Sequence, residues 1–178
     1  MTKTLVIVGH PDLSKSKINK AWVEALRPHE GADLKVHLLA EAIREDGTFD
    51  LDAEQALLSQ YDRIVLQFPL YWYMPPAIMK EWMDTVWAEG WSWGEGGDAM
   101  KGKLVESAVS CGAPEVAFST TGVNGTSLAT YLSFVGGSAQ FMQARGGDHF
   151  AFYGSESPGW EERLAKNCAE YVDFIILK

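Results

Sequence analysis

The sequence predicts an α/β fold: a doubly wound, five-stranded parallel sheet covered by helices in three layers. Two observations support this prediction. Short apolar runs rich in β-branched residues recur along the chain, as in parallel strands that are buried on both faces. Between these runs, apolar residues repeat every three or four positions, which is the spacing of amphipathic helices. With 178 residues, 47% of them hydrophobic, the chain fits a single domain over residues 1–178.

Five segments show the strand pattern and five show the helix pattern. The predicted strands are residues 4–9, 33–39, 63–68, 104–109 and 149–153. The predicted helices are residues 18–26, 51–60, 78–87, 128–142 and 160–176. We expect Gly136 and Gly137 to break or kink the fourth helix, because glycine weakens a helix interior. Residues 88–102, rich in glycine, tryptophan and acidic side chains, are expected to form an ordered surface loop.

The charge and the cysteine content argue against several classes of protein. A formal net charge of −9 with only 15 basic residues disfavours binding to nucleic acid or to an anionic membrane surface. Cys111 and Cys168 are too few and too far apart for a disulfide framework or a zinc site, and we predict no metal site. The chain enters a short strand pattern directly, without the pattern of a signal peptide or a membrane span. We therefore expect a cytoplasmic protein.

Ligands of an open parallel sheet bind outside the carboxyl ends of the strands, where the strand order reverses. Three loops leave the predicted first, third and fourth strands at that edge. In the first loop, we expect a phosphate to bind the free N–H groups at the start of the first helix, together with hydroxyl and amide side chains. The predicted ligand-binding residues of this loop are His10, Ser14, Ser16, Lys17, Ile18 and Asn19. The alternative is that Ser16 only caps the helix and that His10 lies in the turn.

The second loop, residues 67–77, holds three aromatic rings between prolines. The prolines fix the backbone and lack N–H donors, whereas residues 70–73 keep theirs. We predict that this loop presents a row of N–H groups beside aromatic faces, a surface that suits the edge of a flat heteroaromatic cofactor. An ordinary buried loop or a subunit contact is the alternative. In the third loop, residues 110–115, Gly112 allows the backbone to approach a ring edge.

Four motifs lie in order along the chain and carry a resemblance. They are His10-Pro11 followed by Ser16-x-x-Asn19, Gln67-Phe68-Pro69-Leu70-Tyr71-Trp72-Tyr73, Pro76-Ala77-Ile78-Met79-Lys80-x-Trp82-x-Asp84-x-Val86, and Gly102-Lys103 before the fourth strand. Together they make the chain resemble the flavodoxin-like NAD(P)H:quinone oxidoreductases. That family includes the bacterial potassium-efflux ancillary flavoproteins and the modulator-of-drug-activity group. The resemblance covers most of the chain.

The resemblance implies a flavodoxin-like homodimer that binds FMN or FAD, takes a hydride from NAD(P)H and passes it through the flavin to a quinone or similar acceptor. It implies that the first loop holds the flavin phosphate, the second contacts the isoalloxazine ring, and the third contacts the pyrimidine end of that ring. The implied cofactor-binding residues of the second and third loops are Gln67, Pro69, Leu70, Tyr71, Trp72, Tyr73, Ser110, Cys111, Gly112, Ala113 and Phe118. It also implies possible docking on a membrane transporter.

Departures from the family pattern concern the reduced flavin. The family's Thr-Thr-Gly-Gly motif matches Ser110-Cys111-Gly112-Ala113 here, which keeps one glycine. In that register, a family tyrosine that helps to stabilise the reduced flavin falls on Phe118, and a histidine of some members falls on Asn124. Phenylalanine has no hydroxyl to donate. We therefore expect the catalytic donors to be the backbone amides of Gly112 and Ala113, or the side chain of Asn124.

Two other functions match parts of the sequence. Gly90-Trp91-Ser92-Trp93-Gly94 has the Gly-x-Ser-x-Gly pattern of serine hydrolases, but a predicted helix precedes it where that motif requires a strand. A flavin-bound electron carrier, or a redox-sensing subunit of a potassium-efflux system, is the stronger alternative. We predict FMN in preference to FAD, because the chain lacks the long C-terminal extension of larger FAD-binding relatives. The choice between NADH and NADPH is left open.

Overall fold

The computed structural model describes residues 2–177 and contains the predicted parallel sheet. Its five strands lie in the order β2-β1-β3-β4-β5, and all of them are parallel. They are β1 Thr4–Val8, β2 Leu34–Leu38, β3 Arg63–Pro69, β4 Leu104–Ser110 and β5 Arg145–Phe152. Because β1 pairs with β2 on one side and with β3 on the other, the strand order reverses beside β1. The prediction of a doubly wound five-stranded sheet is confirmed.

Helices cover both faces of this sheet. The α-helices are α1 Ile18–Leu26, α2 Leu39–Ala42, α3 Leu51–Ser59, α4 Ala77–Val86, α5 Leu128–Tyr131, α6 Ser133–Phe141 and α7 Trp160–Ile176. Helices α1 and α7 pack together over one face, where Trp22 and Tyr171 are fully buried. The other face is covered by α3, α4 and α6, with Trp82 in the core. The three-layer architecture is therefore confirmed.

Strand β1 shows why the central strands are largely apolar. Side chains of a strand point alternately to its two faces. Leu5 and Ile7 therefore pack into the layer of α3, α4 and α6, whereas Val6 and Val8 pack into the layer of α1 and α7. Since both faces of the sheet are covered, neither set can be polar.

The helix predicted over residues 128–142 is broken, but not at its glycine pair. Helices α5 and α6 meet at Leu132, and Gly136 and Gly137 lie inside α6. A Cβ atom at Gly146 of β5 would lie 3.0 Å from the Cα of Gly136, so glycine at position 146 permits the close approach of β5 to α6, whereas a Cβ at Gly136 or Gly137 would meet nothing within 4 Å. The expected break at the glycine pair is wrong, because α6 continues through both glycines and the helix is interrupted at Leu132 instead.

Strand β5 begins at Arg145, four residues before the predicted start. The pairing of β4 with β5 shifts register around Glu106, which marks a bulge. There the carboxylate of Glu106 accepts a hydrogen bond from the N–H of Asp148 at 3.0 Å. The first half of this strand is therefore supported by a side chain of the neighbouring strand, which its own sequence does not reveal.

Arg63 links the sheet to the last helix at the edge opposite the ligand loops. Its buried guanidinium donates to Glu106 through Nε at 2.7 Å. Nη1 and Nη2 donate to the carbonyls of Ile175 and Phe174 at 2.7 and 3.0 Å. These carbonyls lie at the C-terminus of α7, where the helix dipole places partial negative charge. Nε, Nη1 and Nη2 of this buried arginine therefore each have a hydrogen-bond acceptor.

Residues 88–102 form a series of turns, as expected, although the loop is not confined to the surface. Ser92 and Met100 within it are fully buried. Indole Nε1 of Trp93 donates to the carbonyl of Trp87 at 3.0 Å, which ties the loop to the end of α4. None of the helices within residues 2–177 combines the length and the apolar composition needed to cross a membrane.

Candidate functional site

The loops that follow β1, β3 and β4 meet at one edge of the sheet and border a cavity of about 190 Å³. The N–H of Leu70 donates to the carbonyl of Ser110 at 2.9 Å, which joins the second and third loops. The rings of His10 and Tyr71 join the first and second loops, with their centroids 6.4 Å apart. The cavity is lined by His10, Lys15, Ser16, Lys17, Ile18, Asn19, Pro69, Tyr71, Ser110, Ser155 and Glu156. The predicted convergence of three loops is therefore observed.

The start of α1 is suited to an anion. The N–H groups of Lys17, Ile18 and Asn19 find no hydrogen-bond acceptor within residues 2–177, and they lie at the positive end of the helix dipole. The hydroxyl of Ser16 accepts a hydrogen bond from the N–H of Lys20 at 3.3 Å and also lines the cavity. Ser16 thus caps the helix and faces the candidate site at the same time.

Ser14 lies outside the cavity wall. Its hydroxyl and its N–H both donate to the carboxylate of Asp12, at 2.6 and 3.1 Å. Lys15 Nζ lies 2.8 Å from the other oxygen of that carboxylate. The hydrogen bond from Lys15, followed by that from Ser14, lowers the pKa of Asp12 to about 2. Because Asp12 engages the hydroxyl of Ser14, this geometry does not favour the predicted ligand contact of Ser14.

His10 presents a neutral donor to the cavity. Its Nδ1 accepts a hydrogen bond from the N–H of Asp12 at 3.2 Å, which leaves the ring proton on Nε2. Burial lowers the pKa of His10, although the charge of Asp12 opposes this effect. The imidazole is therefore uncharged near neutral pH, and its Nε2–H can donate to a ligand oxygen.

A buried hydrogen-bond network supports the cavity wall. Gln67 Nε2 donates to the backbone carbonyl and to Oδ1 of Asn19, at 3.1 and 3.3 Å. Gln67 Oε1 accepts from the hydroxyl of Tyr171 at 2.8 Å. Asn19 Nδ2 in turn donates to the hydroxyl of Ser110 at 2.9 Å. Gln67 is fully buried and holds Asn19 in position, a geometry that does not favour its predicted cofactor contact.

The second loop forms a tight hairpin with an exposed aromatic tip. Tyr71 and Met74 exchange two backbone hydrogen bonds, at 2.9 and 3.0 Å. Between them, Trp72 and Tyr73 have φ angles of 48° and 65°, in the left-handed region that residues other than glycine seldom occupy. Such strain, about 1–3 kcal/mol per residue, occurs mainly at functional sites. Trp72 is 93% exposed, so packing of its own side chain does not account for the strain.

Only half of the predicted row of N–H groups in this loop is available. The N–H of Leu70 donates to Ser110 and that of Tyr71 donates to Met74, so both are already used. Leu70 is also partly buried against the core. The N–H groups of Trp72 and Tyr73 have no acceptor in the part of the chain that the structure describes. The donors of this loop are therefore confined to its tip.

The third loop adds two further donors. The N–H groups of Gly112 and Ala113 are without an acceptor anywhere from residue 2 to residue 177. The side chain of Cys111 lies in the core, and burial raises the pKa of its thiol to about 12. A cofactor contact through the Cys111 side chain is therefore not supported, because the thiol faces the protein interior. The backbone of this loop is the part that can reach a ligand.

The segment after the third loop brings Asn124 to the hairpin tip. Its Oδ1 accepts from the hydroxyl of Tyr73 at 3.2 Å, and its carbonyl accepts from the hydroxyl of Tyr131 at 3.0 Å. The rings of Tyr73 and Tyr131 stack with centroids 4.5 Å apart. Within the described residues, Nδ2 of Asn124 is buried without a partner. Phe118 packs edge-on against Tyr131 and adds only apolar surface.

Three residues of the cavity wall were missed by the sequence analysis: Lys15, Ser155 and Glu156. The last two belong to the loop between β5 and α7. Because β5 is the parallel neighbour of β4, its carboxyl end reaches the same edge of the sheet. The turn-rich sequence from Gly154 to Gly159 was the available signal.

The serine hydrolase alternative finds no support in the geometry. Ser92 is fully buried, and its hydroxyl donates to the carbonyl of Ala88 at 3.2 Å. His149, which follows Ser92 in the chain order of a hydrolase triad and would be its base, is paired with the hydroxyl of Ser107 at 2.8 Å. The segment that precedes Ser92 is α4 and a turn, not a strand.

The fold and the donor-lined edge define an α/β protein of the class that binds phosphorylated ligands at the carboxyl ends of parallel strands. Comparison with family models makes this more specific. The model of a family with a flavodoxin-like fold matches residues 2–175. The chain belongs to that family.

Individual relatives carry names that bear on chemistry. The chain is 38% identical over 173 residues to the uncharacterized NAD(P)H oxidoreductase YdeQ of Bacillus subtilis. This alignment covers 97% of this chain and 86% of that protein. It is similar to the crystal structure of general stress protein 14 from Treponema denticola in complex with FMN, at 34% identity, a TM-score of 0.90 and 97% coverage of both chains. It is also similar to an NADPH-quinone reductase from P. pentosaceus, at 27% identity, a TM-score of 0.84 and 97% coverage of both chains.

Proposed function

We propose that this protein is an NAD(P)H-dependent FMN oxidoreductase that reduces a quinone or a similar small acceptor. The observation that carries the proposal is the sheet edge at which free N–H groups of α1 lie beside the aromatic hairpin of residues 71–74. The FMN complex of one relative, and the oxidoreductase and quinone reductase names of two others, support it. In this proposal residues 1–178 form one flavin-binding domain that works in the cytoplasm.

The residues at the cavity fit the phosphate end of FMN. The N–H groups of Lys17, Ile18 and Asn19 would hold the phosphate, together with the hydroxyl of Ser16 and the Nε2–H of His10. A cavity of about 190 Å³ is smaller than the ~300 Å³ at which sites for drug-sized ligands begin. The flavin ring therefore has to lie outside the cavity, over the hairpin and the third loop.

Bound FMN supplies the redox chemistry, since it takes a hydride from NAD(P)H and gives it to the acceptor. The protein has to orient the ring and leave one of its faces open. Tyr71, Trp72 and Tyr73 offer aromatic surface for this purpose, and the last two also offer free N–H groups. We expect alternating donor and acceptor binding at the open face, and thus ping-pong kinetics.

The catalytic donors in this proposal are Gly112 and Asn124. The free N–H groups of Gly112 and Ala113 would bind the pyrimidine edge of the ring, where negative charge develops on reduction. Nδ2 of Asn124 is a buried donor that lacks a partner within residues 2–177, beside the stacked rings of the hairpin tip. A ligand acceptor at that position would satisfy it.

An apolar groove between α4 and α6 supports the proposal of a homodimer. It has a volume of about 490 Å³, and its walls include Trp87, Trp93 and Phe141. Phe141 is 67% exposed. Aromatic side chains of this kind are enriched where protein surfaces associate. Docking on a membrane transporter stays a prediction. It is supported by the name of one relative, the glutathione-regulated potassium-efflux system ancillary protein KefF of an Enterobacter species, which is 38% identical to this chain over 114 residues.

The direct test is to purify the protein, release any bound chromophore for identification, and measure NAD(P)H oxidation with and without a quinone. We expect FMN and quinone-dependent oxidation. A protein that stays colourless after reconstitution with FMN contradicts the proposal. One that binds FMN and never oxidises NAD(P)H is an electron carrier instead.

A matched pair of variants tests the phosphate site. Asp and Asn both cap helices well, so Ser16→Asp and Ser16→Asn should each keep the contact to the N–H of Lys20. Only the aspartate places a negative charge in the cavity. We expect Ser16→Asp to weaken FMN binding at least tenfold, with less than a threefold effect for Ser16→Asn and for riboflavin, which has no phosphate. Ser14→Ala should leave FMN affinity unchanged.

A further inference from the structure

The side-chain cations around the cavity are largely engaged by other groups. Lys15 Nζ pairs with Asp12 at 2.8 Å. Lys17 Nζ lies 4.9 Å from the centroid of the Trp160 ring, a cation–π contact. His10 is neutral, as its contact with the N–H of Asp12 indicates. Of the two lysines, Lys15 has its charge neutralised by an ion pair, whereas Lys17 keeps its charge beside the Trp160 ring.

Glu156 adds a carboxylate to this wall that no cation neutralises. Among residues 2–177, no ion pair or side-chain hydrogen bond is formed by this carboxylate. It packs over Gly112, where a Cβ atom would lie 3.2 Å from Glu156 Cδ and 3.4 Å from each of its oxygens. The backbone beneath is anchored, since the N–H of Ser155 donates to the carbonyl of Cys111 at 3.0 Å. Glycine at position 112 thus makes room for a negative charge next to the free N–H groups of the third loop.

We propose that Glu156 lowers the reduction potential of the bound flavin, an inference that rests on the proposed function. Reduction adds two electrons and one proton to the neutral ring, so the ring gains one negative charge. The N–H groups of Gly112 and Ala113 favour that charge, whereas the negative charge of the exposed Glu156 side chain beside them disfavours it. Glu156 therefore makes the reduced cofactor a stronger donor toward the acceptor.

The test is Glu156→Gln, which removes the charge and keeps the shape of the side chain. We expect the affinity for reduced FMN to rise three- to tenfold relative to that for oxidised FMN. For a two-electron couple this corresponds to a rise in potential of about 15–30 mV. The potential is measured by equilibration with a reference dye, and the affinity for oxidised FMN by fluorescence titration. Glu156→Lys should enlarge the shift, and added salt should reduce it.

Glu162→Gln is the matched control, because Glu162 lies in the first turn of α7 and outside this cavity. The ratio of its affinities for reduced and oxidised FMN should stay within twofold of the wild-type ratio. An unchanged or lower potential in Glu156→Gln overturns the proposal and leaves the proposed function standing. Equal changes in affinity for both forms also overturn it, since the charge would then act on the phosphate and not on the ring. A wild-type protein that binds no FMN contradicts the proposed function itself, and the role of Glu156 with it.

Discussion

The strained tip of the hairpin allows the stability of the fold and the binding of the cofactor to be measured separately. Trp72 has a φ of 48° and is 93% exposed, so its side chain adds little burial to the folded state. The left-handed region costs a residue other than glycine about 1–2 kcal/mol. Glycine avoids that strain but loses about 0.5–1 kcal/mol more in chain entropy on folding. We therefore expect Trp72→Gly to raise the free energy of unfolding of the flavin-free protein by up to about 1.5 kcal/mol.

The same change should weaken FMN binding. An aromatic contact contributes about 0.5–1.5 kcal/mol beyond the area that it buries, which corresponds to about a two- to tenfold change in affinity. Trp72→Ala is the matched control, because it removes the ring and keeps the backbone strain. We expect it to lower FMN affinity to a similar extent, with the free energy of unfolding unchanged.

Urea unfolding of the flavin-free variants gives the free energy of unfolding, and fluorescence titration gives the affinity for FMN. A loss of more than about 1 kcal/mol in Trp72→Gly would refute the strain argument, since an exposed residue in a strained conformation has no such stabilising contact to lose. Unchanged FMN affinity in both variants would show that Trp72 is not a ring contact.

Three other substitutions test the network, the hydrolase motif and a buried histidine. Gln67→Leu leaves Asn19 and Tyr171 with unsatisfied buried groups, so the free energy of unfolding should fall by about 2–4 kcal/mol; a loss below 1 kcal/mol in urea unfolding speaks against the network. Ser92→Ala should leave quinone-dependent turnover unchanged. A loss of turnover in this variant would revive the hydrolase alternative. Burial lowers the pKa of His10 below 6.5, so the unfolded state binds more protons and stability is lost as pH falls through about 6.5. His10→Asn should weaken this dependence between pH 7.5 and 5.5, and an identical slope contradicts it.

Elements of the fold were predictable from the sequence where their pattern does not depend on one particular residue of a neighbouring element. A strand such as β1, covered on both faces, is apolar from Leu5 to Val8, and this pattern is visible in the chain itself. The start of β5 was not predictable, because Arg145 to Asp148 have no apolar pattern and depend on a carboxylate of β4. The same holds for the close approach of β5 to α6, which depends on glycine at position 146.

For the candidate site, the sequence indicated the correct loops but not the direction of their side chains. Ser14 and Ser16 are equivalent by composition, yet Asp12 engages one hydroxyl and leaves the other at the cavity. Gln67 follows the pattern of a ligand-binding strand end, and only the three-dimensional network shows that it is buried. Glu156 reaches the cavity through the pairing of β4 with β5, which no local pattern contains.

These differences divide the site into two parts with different constraints. The phosphate end rests on buried polar groups that satisfy one another from four elements, so a change there disturbs the sheet and α7 as well. The ring end rests on a hairpin tip whose side chains are exposed and whose backbone is strained. Substitutions at Trp72 or Tyr73 can therefore alter the surface that an acceptor meets at little cost to folding. If the proposed function holds, we expect acceptor preference to be determined mainly at the tip and cofactor retention mainly by the network beneath α1.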